Sequence, residues 1–224
     1  MALPDDVKPN RQQGKTPVSM AVLIVNFNSG RLLSECLRRV CAQTCRPERV
    51  IVVDNASSDG SADSMERDYP GVEVICLGQN RGFAAANNLA AQQAGAVEWL
   101  ALLNPDAFPE PDWLERWLAA ADAHPDCASF GACLVDACDP RRLDGTGDVY
   151  HVSGLAWRRD HGRLALEGQR TGDEIFAPCA AAALYRRTAF WEAGGFDENY
   201  FCYFEDVDLG FRLRLLGYGC RHVP

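Results

Sequence analysis

No stretch of this 224-residue chain is apolar for long enough to cross a bilayer as a helix, and no hydrophobic signal-peptide core stands near its start. Export and integral insertion are therefore disfavoured, and a cytoplasmic location is expected, with peripheral attachment to the inner face of a membrane left open. No run of lysine and arginine with interleaved aromatics occurs, and the formal net charge is −9, so nucleic acid is not an expected partner. The Gly-x-Gly-x-x-Gly fingerprint, the Walker A loop and the Gly-x-Ser-x-Gly elbow are all missing, which removes the cheapest support for dinucleotide oxidoreductases, P-loop enzymes and serine hydrolases. His124, His151, His161 and His222 show no metal-ligand spacing, and the ten cysteines include no Cys-x-x-Cys pair. The densest group is Cys36, Cys41 and Cys45. Cys36 falls on the apolar face of a predicted helix with Leu32, Leu33, Leu37 and Val40, so buried reduced thiols in a reducing compartment are the better reading.

With 47% hydrophobic residues, the chain has enough apolar surface for one substantial α/β domain. Residues 1–18 are polar and carry three prolines, and are expected to form a flexible arm. From Met20 onward, apolar runs alternate with amphipathic segments, the pattern of βαβ units with buried parallel strands. Val22–Val25, Val50–Val53, Val72–Leu77 and Trp99–Leu103 are the predicted strands. Helices are predicted over about Arg31–Cys41, from about Ser61, over about Phe83–Ala94, and from Pro111 at a first helical position. Periodicity weakens after Cys133. The Gly-, Asp- and Arg-rich region from Asp136 to Gly172 has the look of a hairpin-bearing insertion, and helical spacing returns over Asp208–Leu216.

Chemistry-bearing residues gather where the predicted strands end, which is where open α/β sheets bind ligands. Asp54 closes the second strand and opens Asp54-Asn55-Ala56-Ser57-Ser58-Asp59-Gly60, a sequence that suits an ordinary turn and equally a carboxylate accepting a hydrogen bond from a nucleobase N–H. Asn104-Pro105-Asp106 follows the fourth strand. It is either a turn or a loop whose Asp106 holds a hard divalent cation, since Mg²⁺ takes one or two carboxylates together with phosphate oxygens. Arg81 precedes an alanine-rich helix, where a surface cation and a phosphate or base contact are about equally expected. Near the end, Glu205, Asp206 and Asp208 lie within four positions beside aromatics. A carboxylate among apolar neighbours gains proton affinity, as a general base requires, while helix capping and an Asp208–Arg212 pair are the plainer alternatives.

The ordered set VLIVNFNSG, VVDNASSDGS, NRGFAAANN, LLNPDA and GGFDENYFCYFEDVDLGFRLRLLGY resembles the family 2 inverting glycosyltransferases, especially their bacterial rhamnosyltransferase-like branch, from Met20 to Pro224. The resemblance implies an α/β fold of the GT-A type, with a Rossmann-like, mostly parallel central sheet flanked by helices. It implies a single domain over residues 19–224, with a nucleotide-sugar-binding half (19–110) and an acceptor-binding half (111–224). It further implies a donor linked to dTDP, UDP or GDP, a divalent cation (Mg²⁺ or Mn²⁺), and a glycan or lipid-linked acceptor in cell-surface polysaccharide synthesis. Carried over by position, Asn26, Asn28, Asp54, Asn55, Arg81, Asn104 and Asp106 would line the nucleotide sugar, Asp106 would hold the metal, and Asp206 beside Glu205 would be the catalytic base. Asp144, Tyr185 and Asp208 would lie on the acceptor side. Asn104 stands where the family's metal-binding triplet usually begins with an acid. The family's further metal-ligating histidine falls beyond Val223-Pro224, so a truncated chain is expected, and a nucleotide- or carbohydrate-binding module without turnover remains an alternative, with a nucleotidyltransferase behind it.

Overall fold

A computed structural model describes residues 18–63, 65–165 and 173–224. The nucleus is a run of strands that are apolar on both faces. β1 (Val18–Asn26), β2 (Pro47–Asp54), β3 (Val72–Cys76) and β4 (Trp99–Leu103) lie parallel, as continuous Val/Ile/Leu runs demand when helices cover both sides of a sheet. Successive side chains alternate between faces. On one face Met20, Val22 and Ile24 meet Leu33, Cys36, Leu37 and Val40 of α1 (Arg31–Cys41) and Leu114 and Trp117 of α4 (Trp113–Ala123). On the other, Ala21, Leu23 and Val25 meet the alanines of α3 (Phe83–Gln93), whose small side chains let that helix lie close to the sheet. Each fully buried Leu, Ile or Val contributes about 1.5–3 kcal/mol, so these two layers supply most of the driving force for folding.

The seven-stranded sheet runs β11-β5-β10-β4-β1-β2-β3, completed by β5 (Cys127–Ala132), β10 (Ala182–Arg186) and β11 (Gly219–Val223). β10 is antiparallel to both β4 and β5, while β5 and β11 are parallel. Two hairpins, β6 (Leu134–Val135) with β7 (Leu143–Gly145) and β8 (Asp148–Tyr150) with β9 (Ala156–Arg158), occupy the expected insertion from just before its predicted start, and its last part, 166–172, lies outside the described residues. A short α2 (Met65–Asp68) precedes β3, and α5 (Arg187–Glu192) and α6 (Glu205–Leu215) follow β10.

Several boundaries differ from those predicted. The proposed arm at 1–18 lies outside the described residues except for Val18, which begins β1. Pro111 is not a first helical residue. The amide of Trp113 closes a turn onto the Glu110 carbonyl and α4 starts at Trp113, two positions later. The helix expected from Ser61 begins at Met65, after turns over 61–63. Leu32 is exposed, because only Leu33, Cys36, Leu37 and Val40 of α1 complete the stripe facing the sheet.

Candidate active site

The parallel register places Asn26 beside Asp54, so the ends of β1 and β2 form one ledge. Asn26 is fully buried there. Its amide donates to Asp54 Oδ1 at 2.7 Å, to Ser61 Oγ at 2.8 Å and to Ser57 Oγ at 3.1 Å, and its Oδ1 accepts the Ser29 hydroxyl. The second Asp54 oxygen accepts the Ser57 amide at 3.1 Å. Asp54 is thereby fixed on the rim of a cleft shared with Ser57, Asp63, Glu66 and Arg67. Asn28 takes a left-handed backbone and ties down the same loop through its Oδ1 and the Ser58 amide, 2.8 Å apart. Asn55 crosses to the next loop: its amide reaches Asn80 Oδ1 at 2.8 Å and its Oδ1 accepts the Arg81 amide at 2.8 Å. Of the expected nucleotide-sugar residues, then, Asn26 and Asn55 are buried scaffolding, while the Arg81 guanidinium lies exposed, 3.9 Å from Glu198.

A second cleft, about 270 Å³ in volume, opens beyond the end of β4. Asn104 lines it together with Glu205, Asp206, Asp148, Arg158 and Cys179. Two backbone hydrogen bonds join its halves: the Asn104 amide donates to the Ala181 carbonyl at 2.8 Å, and the Ala180 amide donates to Asp206 Oδ2 at 2.9 Å. Asp206 Oδ1 accepts its neighbour Val207's amide at 2.9 Å. Partial burial raises the proton affinity of Asp206 while these two amides oppose the rise, so the group is a half-buried acid whose charged form is still supported. Burial, and then the charge of Asp206, push Glu205 up to about 7, and its Oε2 has no hydrogen-bond partner among the described residues. Asp148 is pushed to about 7 by the same two causes, opposed by Arg158.

α6 enters this cleft from a strained turn. Tyr203 and Phe204 are consecutive non-glycine residues with φ of 72° and 69°, a region costly for large side chains and found where surroundings over-determine the backbone. The brace is visible: the Phe83 amide donates to the Phe201 carbonyl at 2.7 Å, and Gly82, at φ 85°, passes so close that a Cβ would lie 2.5 Å from that oxygen. The NRG motif thus supports the aromatic segment ahead of the acids.

Asp106 is exposed at the same sheet edge, and its carboxylate makes no ion pair or hydrogen bond among the described residues. No group of three His, Cys, Asp or Glu residues gathered to hold a metal occurs among the described residues. The donor set is therefore one free carboxylate and the Asn104 amide oxygen, which suits a hard cation that completes its shell with ligand phosphate oxygens.

Two expected acceptor-side residues do not reach the cleft. Tyr185 lies in the layer that α6 covers, but it is fully buried beneath that helix against Phe190 and Phe196 and does not line the cleft. Asp208 lies about 200° around α6 from Asp206 and pairs with Arg212 at 2.6 Å. Asp144 acts through a neighbour, accepting Arg158 Nη1 at 2.6 Å. Asp148, Trp157 and Arg158 were not anticipated. Their one sequence signal is the Gly145-Thr146-Gly147 stretch, whose first glycine leaves room for the Arg158 stem: a Cβ on Gly145 would lie 2.3 Å from Arg158 Cγ.

Residues 21–194 match the model of Glycosyl transferase family 2. The N-acetylglucosaminyl-diphospho-decaprenol L-rhamnosyltransferase of Mycobacterium tuberculosis is 30% identical over 225 residues, covering 92% of this chain and 73% of its own length. Among solved structures, GalNAc-T7 with UDP, GalNAc and Mn²⁺ superposes with a TM-score of 0.74 at 17% identity, covering 94% of this chain and 43% of its own. The mannosyltransferase PcManGT from Pyrobaculum calidifontis, in complex with GDP-Man and Mn²⁺, gives 0.64 at 19% identity, covering 99% and 58%. At these identities the structural likeness establishes the architecture expected from the motifs.

Proposed function

This chain belongs to glycosyl transferase family 2, and from that premise we propose that it moves a sugar, with inversion, from a nucleoside-diphosphate donor to a hydroxyl of a glycan or lipid-linked acceptor in surface-polysaccharide synthesis. Rhamnose is the preferred sugar, since the mycobacterial relative is named as a rhamnosyltransferase. The observation that carries the reading is the hydrogen-bonded path from Asn104 through Ala181 and Ala180 to Asp206, which joins the end of β4 and this half-buried acid in one cleft.

In this reading Asp54, held by Asn26 and Ser57, accepts from the base of the nucleotide. Asp206 takes the proton of the acceptor hydroxyl as its oxygen attacks the anomeric carbon. Its two backbone donors keep one oxygen lone pair aimed while the carboxylate is ionised, and the apolar surroundings raise its affinity for the incoming proton. Asp106, with the Asn104 amide oxygen, would hold a divalent cation, which when bound supplies charge neutralisation for the diphosphate. Association with a membrane surface belongs to this proposal as well; no helix among the described residues is long and apolar enough to cross a membrane.

Calorimetric titration with dTDP, UDP and GDP, each with and without Mn²⁺, tests the donor assignment. Metal-dependent binding of one nucleotide is expected. Binding of none of them overturns it.

A further inference from the structure

We propose that Asp148 is a second acceptor ligand, binding a hydroxyl adjacent to the one that Asp206 deprotonates, so that the group this cleft receives is an uncharged sugar ring bearing neighbouring hydroxyls and not a phosphate. The inference rests on the glycosyl-transfer reading and specifies the acceptor for that same site.

Asp148 and Asp206 come from different parts of the chain, β8 and α6, yet they line one cleft. Their backbones are tied to one segment: the Asp148 amide donates to the Ala177 carbonyl at 2.8 Å, three residues before the Ala180 amide that holds Asp206. Asp148 is only 7% exposed, and its carboxyl meets no hydrogen-bond donor among the described residues. Buried polar groups are normally paired, and an orphan that lines a cleft is accounted for by a ligand that brings the missing donor. Glu205 Oε2, on the wall with Asp206, is fully buried and unpaired among the described residues, whereas the unpaired Asp148 carboxyl opens onto the cleft.

The charge of the cleft selects the ligand. Among the described residues, three carboxyl groups line this cleft together with Arg158, the single Lys or Arg there. That guanidinium is already engaged, Nη1 with Asp144 at 2.6 Å and Nη2 with Cys179 Sγ at 2.9 Å. Away from the proposed cation site at Asn104 and Asp106, an anionic acceptor group would meet repulsion from these carboxyls, whereas hydroxyls would donate to the waiting oxygens. Burial and the charge of Asp206 raise Asp148 to about 7, so near neutrality the group can accept from one hydroxyl or donate to another. The rim is aromatic, with Trp157 52% and Tyr203 78% exposed, and offers apolar surface to the C–H face of a ring.

The test uses the full chain and its D148A and D148N variants, with octyl β-glucopyranoside, its 2-, 3- and 4-deoxy analogues, and decyl phosphate as probes, titrated below micelle formation and followed by saturation-transfer NMR. The wild type should bind the glucoside in preference to the phosphate. D148A should weaken glucoside binding about tenfold, the loss of one hydrogen bond to a group with charged character. One deoxy analogue should bind the wild type about tenfold worse than the parent yet match the parent in D148A. D148N, which keeps a hydrogen-bonding group of the same shape, should recover part of the loss and melt close to the wild type. Equal glucoside binding by D148A, equal binding of decyl phosphate, or no binding of any glycoside by the wild type overturns the proposal. Nucleotide titration of the same samples separates the two readings: a protein that binds nucleotide but no glycoside removes this inference alone, and one that binds neither removes glycosyl transfer with it.

Discussion

Replacing Asn26 by alanine is the sharpest test of how the ledge at the ends of β1 and β2, the proposed nucleotide site, is built. The side chain is fully buried and its amide has two hydrogens for three acceptors, the shortest contacts being Asp54 Oδ1 at 2.7 Å and Ser61 Oγ at 2.8 Å. Alanine leaves Asp54, itself only 6% exposed, with the Ser57 amide at 3.1 Å as its one remaining donor. Losing a hydrogen bond to a charged, buried group costs about 1.5–3 kcal/mol, and the Ser29 hydroxyl also loses its acceptor, at about 0.5–1.5 kcal/mol. A total of about 3 kcal/mol is expected, a large part of the 5–15 kcal/mol that such domains possess. Urea unfolding should show a lower midpoint with an unchanged slope, and nucleotide affinity should fall at least tenfold because Asp54 is no longer aimed. Asn26→Asp should be worse, since it sets two carboxylates face to face where one must hold a proton. A loss below about 1 kcal/mol with nucleotide affinity intact would refute the view that this amide positions Asp54.

Asp206→Asn should lower turnover by about 10²–10⁴, the usual worth of a general base, while leaving nucleotide binding unchanged; normal turnover removes the assignment. The same change turns an NH2 donor toward the N–H of Ala180 or Val207, so urea unfolding should also report a loss of about 1–3 kcal/mol. Asp106→Ala should abolish the Mn²⁺-dependent part of nucleotide binding and leave any metal-independent part in calorimetry; an unchanged metal dependence excludes Asp106 as the ligand. Glu205 and Asp148 are raised from 4.5 and 3.8 to about 7, with Asp206 and Arg158 the charged groups around them. The folded state therefore holds more protons than the unfolded one between about pH 4 and 7, and their stabilisation is complete below about pH 4 and lost as pH rises through 7. The melting temperature should fall from pH 5 to pH 8, and the E205Q/D148N double variant should flatten that slope; an equally steep slope in the double variant contradicts the account.

The sheet's first half was legible because its signals are local. The predicted bounds of α1 and β4 coincide with the observed ones, since an amphipathic stripe and a fully apolar five-residue run each define themselves without distant partners. β5 and β11 were not anticipated. Cys127–Ala132 is rich in small residues, and its parallel partner Gly219–Val223 stands about ninety residues later, so pairing and not local composition makes them strands. In the candidate site, Asp54, Asn104, Asp106 and Asp206 could be singled out from the sequence because they stand where regular elements begin or end. Tyr185 was expected on the acceptor side and lies on the face that α6 covers, but an apolar run such as Ala180–Tyr185 does not tell how deeply each residue is buried. Asp148 and Arg158 escaped because three-residue strands carry no periodicity, and only the hairpin's closure onto Ala177 brings them to Asp206.

The reversal of β10 is what makes one cleft out of these pieces. Were β10 parallel to β4, its far end at Arg186 would face the ligand edge; because it runs antiparallel, Ala182 pairs with Leu103 and the irregular segment 177–181 just before it lies beside Asn104. An irregular segment has backbone groups to spare, and here they are spent on the site: the Ala177 carbonyl on the Asp148 amide, the Ala180 amide on the Asp206 carboxylate, the Ala181 carbonyl on the Asn104 amide. Work done by backbone atoms requires close approach, which explains why small residues sit at these positions. A Cβ on Gly210 of α6 would lie 2.4 Å from the Ala177 Cβ, so a larger side chain on either partner would push α6 outward and carry Asp206 away from the Ala180 amide. The alanine run from 180 to 183, which looks uninformative in the sequence, is thus the part of the chain on which the alignment of the Asn104 loop, Asp206 and the Asp148 strand depends.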